Sequence, residues 1–398
     1  MPLLNIPENL LLFISGVGML QGFLLANLLY FHPRSDRSVN RFLAPFIFFL
    51  CIPLLIPIGQ QLFSWQFVIW IEPFTVVSAP LLYLYVRSFK EEITFRKAWP
   101  HFTPFPVFLG IAIWSYIIVG TKYPVSTEVP EAALKNPLSY IPVSIRFAQR
   151  LLYYYLSLRA LNSYQRSIQH LFSETSRINL GWVRYLINGF LVVVLTTIFF
   201  YGMIQRYPEN FSLWVLSIGA AVTIYIYLAT IKGMGQVTLW QLIPNKNKET
   251  LEAAIEEAEH LEEAPYQDKM LRKTGLSEAR IEEIVSRIIS VVESEKLYQE
   301  TELTLQQLAD RLELPPYVLS QAINDGLRKN FYDLINNYRV EEAKRLLAEE
   351  SNQQYTILSV GFEAGFNSKT TFNTVFKKFT GLTPTAYRDL QKRAALTA

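Results

Sequence analysis

The first 231 residues contain long runs without a charged side chain, and these runs restrict the fold more than any other feature. No Asp, Glu, Lys or Arg occurs between Glu8 and His32 or between Arg41 and Glu72. A backbone that crosses hydrocarbon must satisfy its hydrogen bonds internally, and a helix of about 20 apolar residues does so. The sequence therefore predicts an all-α, membrane-embedded N-terminal part rather than a large soluble protein.

Charge-free and apolar stretches predict a bundle of seven transmembrane helices, at 10–31, 42–58, 65–86, 102–119, 138–158, 185–204 and 213–231. The fifth span is the least apolar, because it contains Arg146, Gln149 and Arg150. Loop charges support it nevertheless, since eleven Lys or Arg lie in alternate loops and only three in the opposite ones. Basic loops face the cytoplasm. Seven spans then place the N-terminus outside the cell and everything after Lys232 in the cytoplasm.

Three ionisable residues lie inside predicted spans, where charge is costly and usually faces the bundle interior. Glu72 and Arg146 are each about 10–12 Å below the outer surface at about 1.5 Å per residue, and Arg150 lies one turn deeper. Two interpretations remain open. Glu72 and Arg146 form a structural ion pair between two helices, or the three residues line a polar pocket, open to the outside, that holds an anionic ligand.

Composition argues against several other functions. The chain has one cysteine, Cys51, and four scattered histidines, so neither a disulfide framework nor a metal site is expected. No nucleophile–base pair or phosphate-binding loop stands out, so we expect no enzyme activity and no cofactor.

Residues 232–276 are predicted to be a connector between two domains, at 1–231 and 277–398. Its segment 249–263 holds seven acids and no Lys or Arg, with apolar residues at helical spacing. This segment either pairs with a copy of itself, which would give a homodimer, or is a solvated helical spacer. In both cases its negative charge would keep the connector away from other anionic surfaces.

The C-terminal domain has the pattern of two helix–turn–helix units joined by a long helix. Thr304 and Gln307 form a capping-box signature for a helix at 305–312, and a second helix at 317–324 follows a tight turn. A long helix is predicted at 331–350. The pattern then repeats, with a short helix at 357–364, a turn at Gly365 and a helix that ends near 379, before a final helix that starts at Pro384.

The second repeat carries a long and specific sequence signature. It consists of GFEAGFNSKTTF at 361–372, FKKFTGLTP at 376–384 and the pair Tyr387-Arg388. This signature resembles the second half of an AraC/XylS-type transcription-regulator domain, and the resemblance extends over about 278–393. The first half matches at Leu308-Ala309, Leu319-Ser320, Ile323, Tyr338-Arg339 and Ala343. More loosely, APLLYLYVRS at 79–88 resembles membrane-bound regulators of this family.

The resemblance implies two recognition helices that enter successive major-groove segments of double-stranded DNA. By position, the first helix would present Tyr317, Ser320, Gln321 and Asn324, and the second Lys369, Thr370, Asn373 and Thr374. Lys377, Lys378 and Arg388 would contact phosphates. The two halves differ in charge, because 317–325 has no Lys or Arg and Glu313 occupies a turn position where the family usually has glycine.

These features together predict a membrane-tethered, one-component transcription regulator of the bacterial inner membrane. Its expected partners are DNA, the lipid bilayer and an unknown small-molecule or membrane signal, with a second copy of the chain and RNA polymerase as further candidates. Two alternatives remain open. One is a transporter or channel with a regulatory tail, and the other is a membrane receptor whose helical tail is a protein-interaction module.

Overall fold

The structure is a computed structural model that describes residues 8–31, 37–123, 125–126, 137–175, 180–233, 276–349 and 354–397. Within these ranges the backbone is helical apart from turns, short 3-10 segments and one isolated antiparallel bridge between Phe172 and Thr304. The predicted all-α fold class is therefore confirmed. Nearly all of the predicted acidic connector lies outside the described residues.

The chain divides into two compact units whose boundaries differ from a simple cut along the sequence. The first unit contains the described residues up to Asn162 and those from Leu180 to Gly233. The second contains the C-terminal helices from Glu278 onward together with 163–175. A short internal stretch thus belongs with the C-terminal domain, which the sequence analysis did not anticipate.

The first unit is built of ten helices among its described residues. In chain order they are α1 Glu8–Phe31, α2 Arg37–Leu50, α3 Leu55–Leu62, α4 Phe67–Ile71, α5 Ser78–Arg87, α6 Phe95–Ala98, α7 Pro104–Ser115, α8 Pro137–Leu171, α9 Gly181–Arg206 and α10 Phe211–Gly233. Short 3-10 turns join several of them, including Glu72–Val77 between α4 and α5. The last nine residues of α8 belong to the second unit.

Six stretches of the described chain are long and apolar enough to cross a membrane, at Asn9–Phe31, Asn40–Leu62, Phe67–Arg87, Phe95–Ile118, Gly181–Arg206 and Leu213–Lys232. They coincide with six of the seven predicted spans. The predicted fifth span lies in α8, which is a 35-residue helix but is not among these six stretches. The count of seven spans and the orientation that depends on it therefore stay predictions.

Helix packing in the first unit centres on three aromatic side chains from α2, α9 and α10. The ring of Phe46 lies 5.9 Å from that of Phe190 and 6.3 Å from that of Tyr225. The Tyr225 hydroxyl donates to the Leu186 carbonyl at 2.8 Å, so its one polar atom is satisfied. Many exposed side chains of the first unit are also apolar, for example Phe13 of α1 and Val192 of α9.

The second unit contains seven further helices among its described residues. They are α11 Glu278–Ser294, α12 Leu305–Leu312, α13 Pro316–Leu327, α14 Phe331–Ala348, α15 Ile357–Glu363, α16 Lys369–Thr380 and α17 Pro384–Thr397. The helix pairs α12–α13 and α15–α16 form the two helix–turn–helix motifs, and α14 joins them. The order and type of these elements match the prediction, with helix ends displaced by a few residues.

Each motif has its own apolar core, and α14 contributes to both. In the first core, Ile284 and Ile288 of α11 are buried with Leu308, Leu319 and Phe331. The second core combines the C-terminal half of α14 with α15 and α16, through Val340, Ala343, Leu346, Leu347, Val360, Phe366, Phe372, Val375 and Phe376. Because one continuous helix enters both cores, it fixes the spacing of the two motifs.

Two glycines of the second motif adopt left-handed backbone conformations, but only one of them is crowded. At Gly365, with φ +95°, an added Cβ would collide with the Tyr298 carbonyl oxygen and lie 2.8 Å from Gln299 Cα. At Gly381, with φ +78°, it would meet nothing within 4 Å. Gly365 is therefore required both for the turn and for close packing of the second motif on the segment that precedes the first motif.

We expect Gly365→Ala to destabilise the second unit by more than about 2 kcal/mol, because backbone strain and a backbone clash add. Gly381→Ala is the matched control and costs about 1 kcal/mol, from strain alone. Hydrogen exchange of the α15 and α16 amides in the full chain measures both effects. Equal losses in the two variants would contradict the role assigned to the Gly365 contact.

Candidate functional site

The first helix–turn–helix motif is defined by strong local capping. The Thr304 hydroxyl accepts from the Gln307 amide at 3.2 Å, and the Gln307 side chain accepts from the Thr304 amide at 2.8 Å. This confirms the predicted capping box. After α12, Glu313 adopts a left-handed conformation with φ 55°, and the Leu314 amide donates to the Ala309 carbonyl at 3.0 Å. The turn therefore has glycine-like geometry despite its acidic residue.

The exposed face of α13 carries three of the four residues predicted to contact DNA. Tyr317 is 45% exposed, and Ser320 and Asn324 are half-buried. Gln321 is 8% exposed, so it is far less accessible than the other three, and its contact with DNA stays a prediction. The reason is that α13 packs against both α11 and α12, which covers a wider arc of the helix than a single buried stripe.

Two basic residues directly after α13 were not among the predicted DNA contacts. Arg328 and Lys329 are both exposed, and Arg328 adopts a left-handed conformation with φ 54°. Their position at the end of a recognition helix, in the stretch LRKN, was the available signal. They give the first motif the positive charge that its helix lacks.

The second recognition helix, α16, starts at a capped N-terminus and exposes a basic, polar face. The Ser368 hydroxyl accepts from the Thr371 amide at 3.1 Å, so Ser368 is the N-cap of this helix. Thr371, Phe372, Val375 and Phe376 are buried. Three of the four predicted base-reading residues, Lys369, Thr370 and Thr374, are exposed, and Asn373 is half-buried. Their contact with DNA stays a prediction.

The three residues predicted to bind phosphate differ in their availability. Lys377 is exposed and lines a shallow polar depression with Asn373 and Thr374. The Lys378 ammonium lies 2.7 Å from the Asp333 carboxylate and above the Tyr332 ring. Arg388 is half-buried and donates to the Tyr355 carbonyl at 3.1 Å.

Lys378 and Arg388 are therefore engaged within the domain, and their predicted contact with phosphates stays a prediction. The cause is α14 and the loop before α15, which supply Asp333 and the Tyr355 carbonyl and could not be placed from sequence. An exposed ion pair contributes little to stability. Lys378 can thus leave Asp333 for a phosphate at a small cost in free energy, whereas Lys377 is in no such ion pair among the described residues and is already exposed.

The first unit contains a cavity of about 320 Å³ with a mainly apolar lining. The structure brings Glu72 and Arg146 together there as an ion pair, and the Arg146 side chain is buried. Arg150 also lines the cavity, with its guanidinium 5.8 Å from the centre of the Phe147 ring. Gln149, on the same helix, donates to the Val76 carbonyl at 3.0 Å and fixes α8 against the segment that starts at Glu72.

This cavity has the size and the polarity of a small-molecule site, which is typically apolar with a few directed polar groups. The charge of Arg146 is neutralised by Glu72. Arg150 also lines the cavity, and the ion pairs among the described residues include none with Arg150. The same residues contain no group of three or more His, Cys, Asp or Glu that could hold a metal ion.

Comparison with known proteins agrees with the geometry of the C-terminal helices. The sequence model of a family described as "Helix-turn-helix domain" matches residues 308–390, which include both recognition helices. The C-terminal domain is an AraC-type helix–turn–helix domain. An HTH-type transcriptional regulator of Bacillus subtilis (strain 168), YtdP, is 29% identical to the chain over 141 residues.

The match to YtdP covers 35% of this chain and 17% of that protein, so the two are related over a small part of the relative. No solved structure matches the chain. The comparisons therefore identify a DNA-binding regulator domain of AraC type at the C-terminus. What the first unit binds or senses belongs to the proposal that follows.

Neighbouring lysines of the AraC-type domain provide a matched test of the phosphate contacts. We expect Lys377→Ala to weaken binding to all DNA sequences and to reduce the salt dependence by about 0.9 in log–log slope. Lys378→Ala should have a smaller effect, because wild-type Lys378 must first leave Asp333. Titration of labelled duplex at several salt concentrations measures both. A larger loss for Lys378→Ala would contradict this ranking.

Proposed function

We propose that this protein is a membrane-embedded, one-component transcription regulator of the bacterial inner membrane. Its AraC-type domain binds double-stranded DNA through α13 and α16 in the cytoplasm, under the control of a signal received by the first unit. The proposal rests on one observation, the presence in a single chain of six membrane-length apolar helices and a helix–turn–helix domain with exposed polar and basic recognition residues.

Recognition is shared unequally between the two motifs in this proposal. The exposed side chains of α16, Lys369, Thr370 and Thr374, can hydrogen-bond base edges, with Lys377 beside them for phosphate. The first motif contributes Tyr317, Ser320 and Asn324, while Arg328 and Lys329 supply its phosphate contacts. A single double-motif domain gives a modest interface, so a homodimer would raise affinity. RNA polymerase is the further partner if the regulator activates transcription.

The cavity of the first unit is the proposed signal site. Arg150 would bind the anionic group of a small amphipathic ligand, because the Glu72–Arg146 pair already neutralises itself and the remaining lining is mostly apolar. Binding there would act on α8, which carries both arginines. In this arrangement the ion pair is structural and Arg150 is the ligand contact.

Genome-wide capture of DNA crosslinked to the intact protein tests the DNA-binding function. We expect enriched sites that contain two half-sites about ten base pairs apart, since successive major-groove segments on one face are separated by one helical turn. The control is the double variant Lys369→Ala/Thr374→Ala, which should lose the enrichment while it retains its place in the membrane. An intact protein that enriches no sites would remove the proposed function.

Substitution of the charged residues of the cavity distinguishes the structural role of the Glu72–Arg146 pair from the ligand-binding role of Arg150. Glu72→Arg or Arg146→Glu alone should lower the thermal unfolding midpoint, and the double variant should restore it, because each single change leaves like charges together in a low-dielectric site. Arg150→Leu should keep the midpoint and abolish regulated transcription from a captured promoter, while Arg150→Lys retains part of it. Normal regulation by Arg150→Leu would contradict the assignment of Arg150.

A further inference from the structure

Four residues that follow α8 are inserted into the second unit, although they come from a distant part of the sequence. Residues 172–175 lie outside the stretch that matches the helix–turn–helix family, at 308–390. Phe172 forms an antiparallel bridge with Thr304, and Ser173 and Thr175 are buried. The AraC-type domain of this chain thus holds a peptide segment that its own helices do not supply.

Ser173 is the centre of this contact, and all of its polar groups have partners on the domain. Its amide and its hydroxyl both donate to the Leu303 carbonyl, at 3.1 and 2.7 Å. Its carbonyl accepts from Asn336 Nδ2 at 3.0 Å and from Arg339 Nη1 at 3.1 Å. Its hydroxyl also accepts from Arg339 Nη2 at 3.1 Å. The Leu303 carbonyl and the side chains of Asn336 and Arg339 therefore form a pocket complementary to Ser173, which we call the socket.

Arg339 connects the socket to both helix–turn–helix motifs. It lies on α14 and is fully buried, and it donates to the carbonyls of Tyr298 and Glu300 at 2.7 Å, just before the first motif. Its guanidinium also lies 5.9 Å from the centre of the Phe366 ring, which belongs to the core of the second motif. Burial lowers the pKa of Arg339 to about 10, and the Glu174 carboxylate opposes this shift. The side chain therefore remains a cation at neutral pH.

Loss of Ser173 from the socket would remove one acceptor each from Arg339 Nη1, Arg339 Nη2 and Asn336 Nδ2. These donors would keep their bonds to Asn336 Oδ1, the Glu300 carbonyl and the Tyr332 carbonyl. A buried charged donor that loses an acceptor costs free energy, so the network around Arg339 would weaken. This network joins the loop at 297–301, α14 and the Phe366 ring, and together with α14 it sets how the second motif is placed relative to α13.

We propose that residues 172–175 are a docking segment whose insertion beside Arg339 holds the two helix–turn–helix motifs in the DNA-binding arrangement, and whose withdrawal by movement of α8 switches binding off. α8 is one continuous helix that carries Arg146 and Arg150 and ends two residues before Ser173. The proposal extends the proposed function, since it names the step between the signal site and the DNA-binding domain.

Two adjacent asparagines of α14 give a matched test in the full chain, reconstituted in lipid nanodiscs. Asn336 is buried in the socket, whereas Asn337 is half-buried and outside it. We expect Asn336→Ala to increase hydrogen exchange at 172–175 and to weaken binding to a captured duplex about tenfold. Binding to a scrambled duplex should change little, because phosphate contacts do not require fixed spacing. Asn337→Ala should change none of these quantities.

A disulfide provides the converse test. Residues that face each other in an antiparallel bridge have Cα atoms about 4.5–5.5 Å apart, within the range of a disulfide. Phe172→Cys and Thr304→Cys in a Cys51→Ser background should therefore crosslink in the native protein. In the Asn336→Ala variant the oxidised form should recover the affinity for the captured duplex, and reduction should remove it again.

Three results would overturn the proposal. These are failure of the native protein to crosslink, equal effects of Asn336→Ala and Asn337→Ala, and weaker specific binding by the oxidised form than by the reduced form. Failure of the proposed function is distinguishable, because it shows as an absence of captured sites for the wild-type protein. In that case hydrogen exchange at 172–175 and crosslinking of positions 172 and 304 still test whether the docking segment is bound to the domain.

Discussion

In the membrane location proposed for the first unit, every backbone hydrogen bond must be satisfied within the chain. Hydrocarbon offers no partner to a free amide or carbonyl, so a long apolar stretch in it is helical. Polar side chains that remain inside must pair with each other, as Glu72 and Arg146 do. In the second unit, the buried guanidinium of Arg339 likewise needs hydrogen-bond partners, and it finds them in the carbonyls of Tyr298 and Glu300.

The AraC-type domain combines rigid local motifs with one shared connection. Capping at Thr304 and Ser368 and the crowded turn at Gly365 fix each motif by contacts close in sequence or in space. The distance between the motifs depends on α14, which enters both cores. An influence on this one helix therefore reaches both predicted recognition helices, whereas the interior of each motif can remain unchanged.

Most of the fold followed from periodicity and caps, because those signals are local. The helix order of the second unit, the Thr304 cap and the exposed face of α16 were predicted in this way. Burial of Gln321 was not, since it depends on α11 and α12 covering two sides of α13. The partners of Lys378 and Arg388, and the position of Ser173, were also beyond the sequence, because they join residues 33 to 166 positions apart.

The length of α8 means that a small tilt of this helix would move the docking segment at its C-terminal end. At about 1.5 Å per residue, its 35 residues extend about 52 Å, far beyond the roughly 30 Å of hydrocarbon. A rod of this length amplifies rotation, and a tilt of about 5° displaces its far end by about 4.5 Å, more than the length of a hydrogen bond. Helix tilt follows bilayer thickness. If α8 spans the membrane, the lipid composition of the cell therefore acts on the same hydrogen bonds that the proposed ligand would affect.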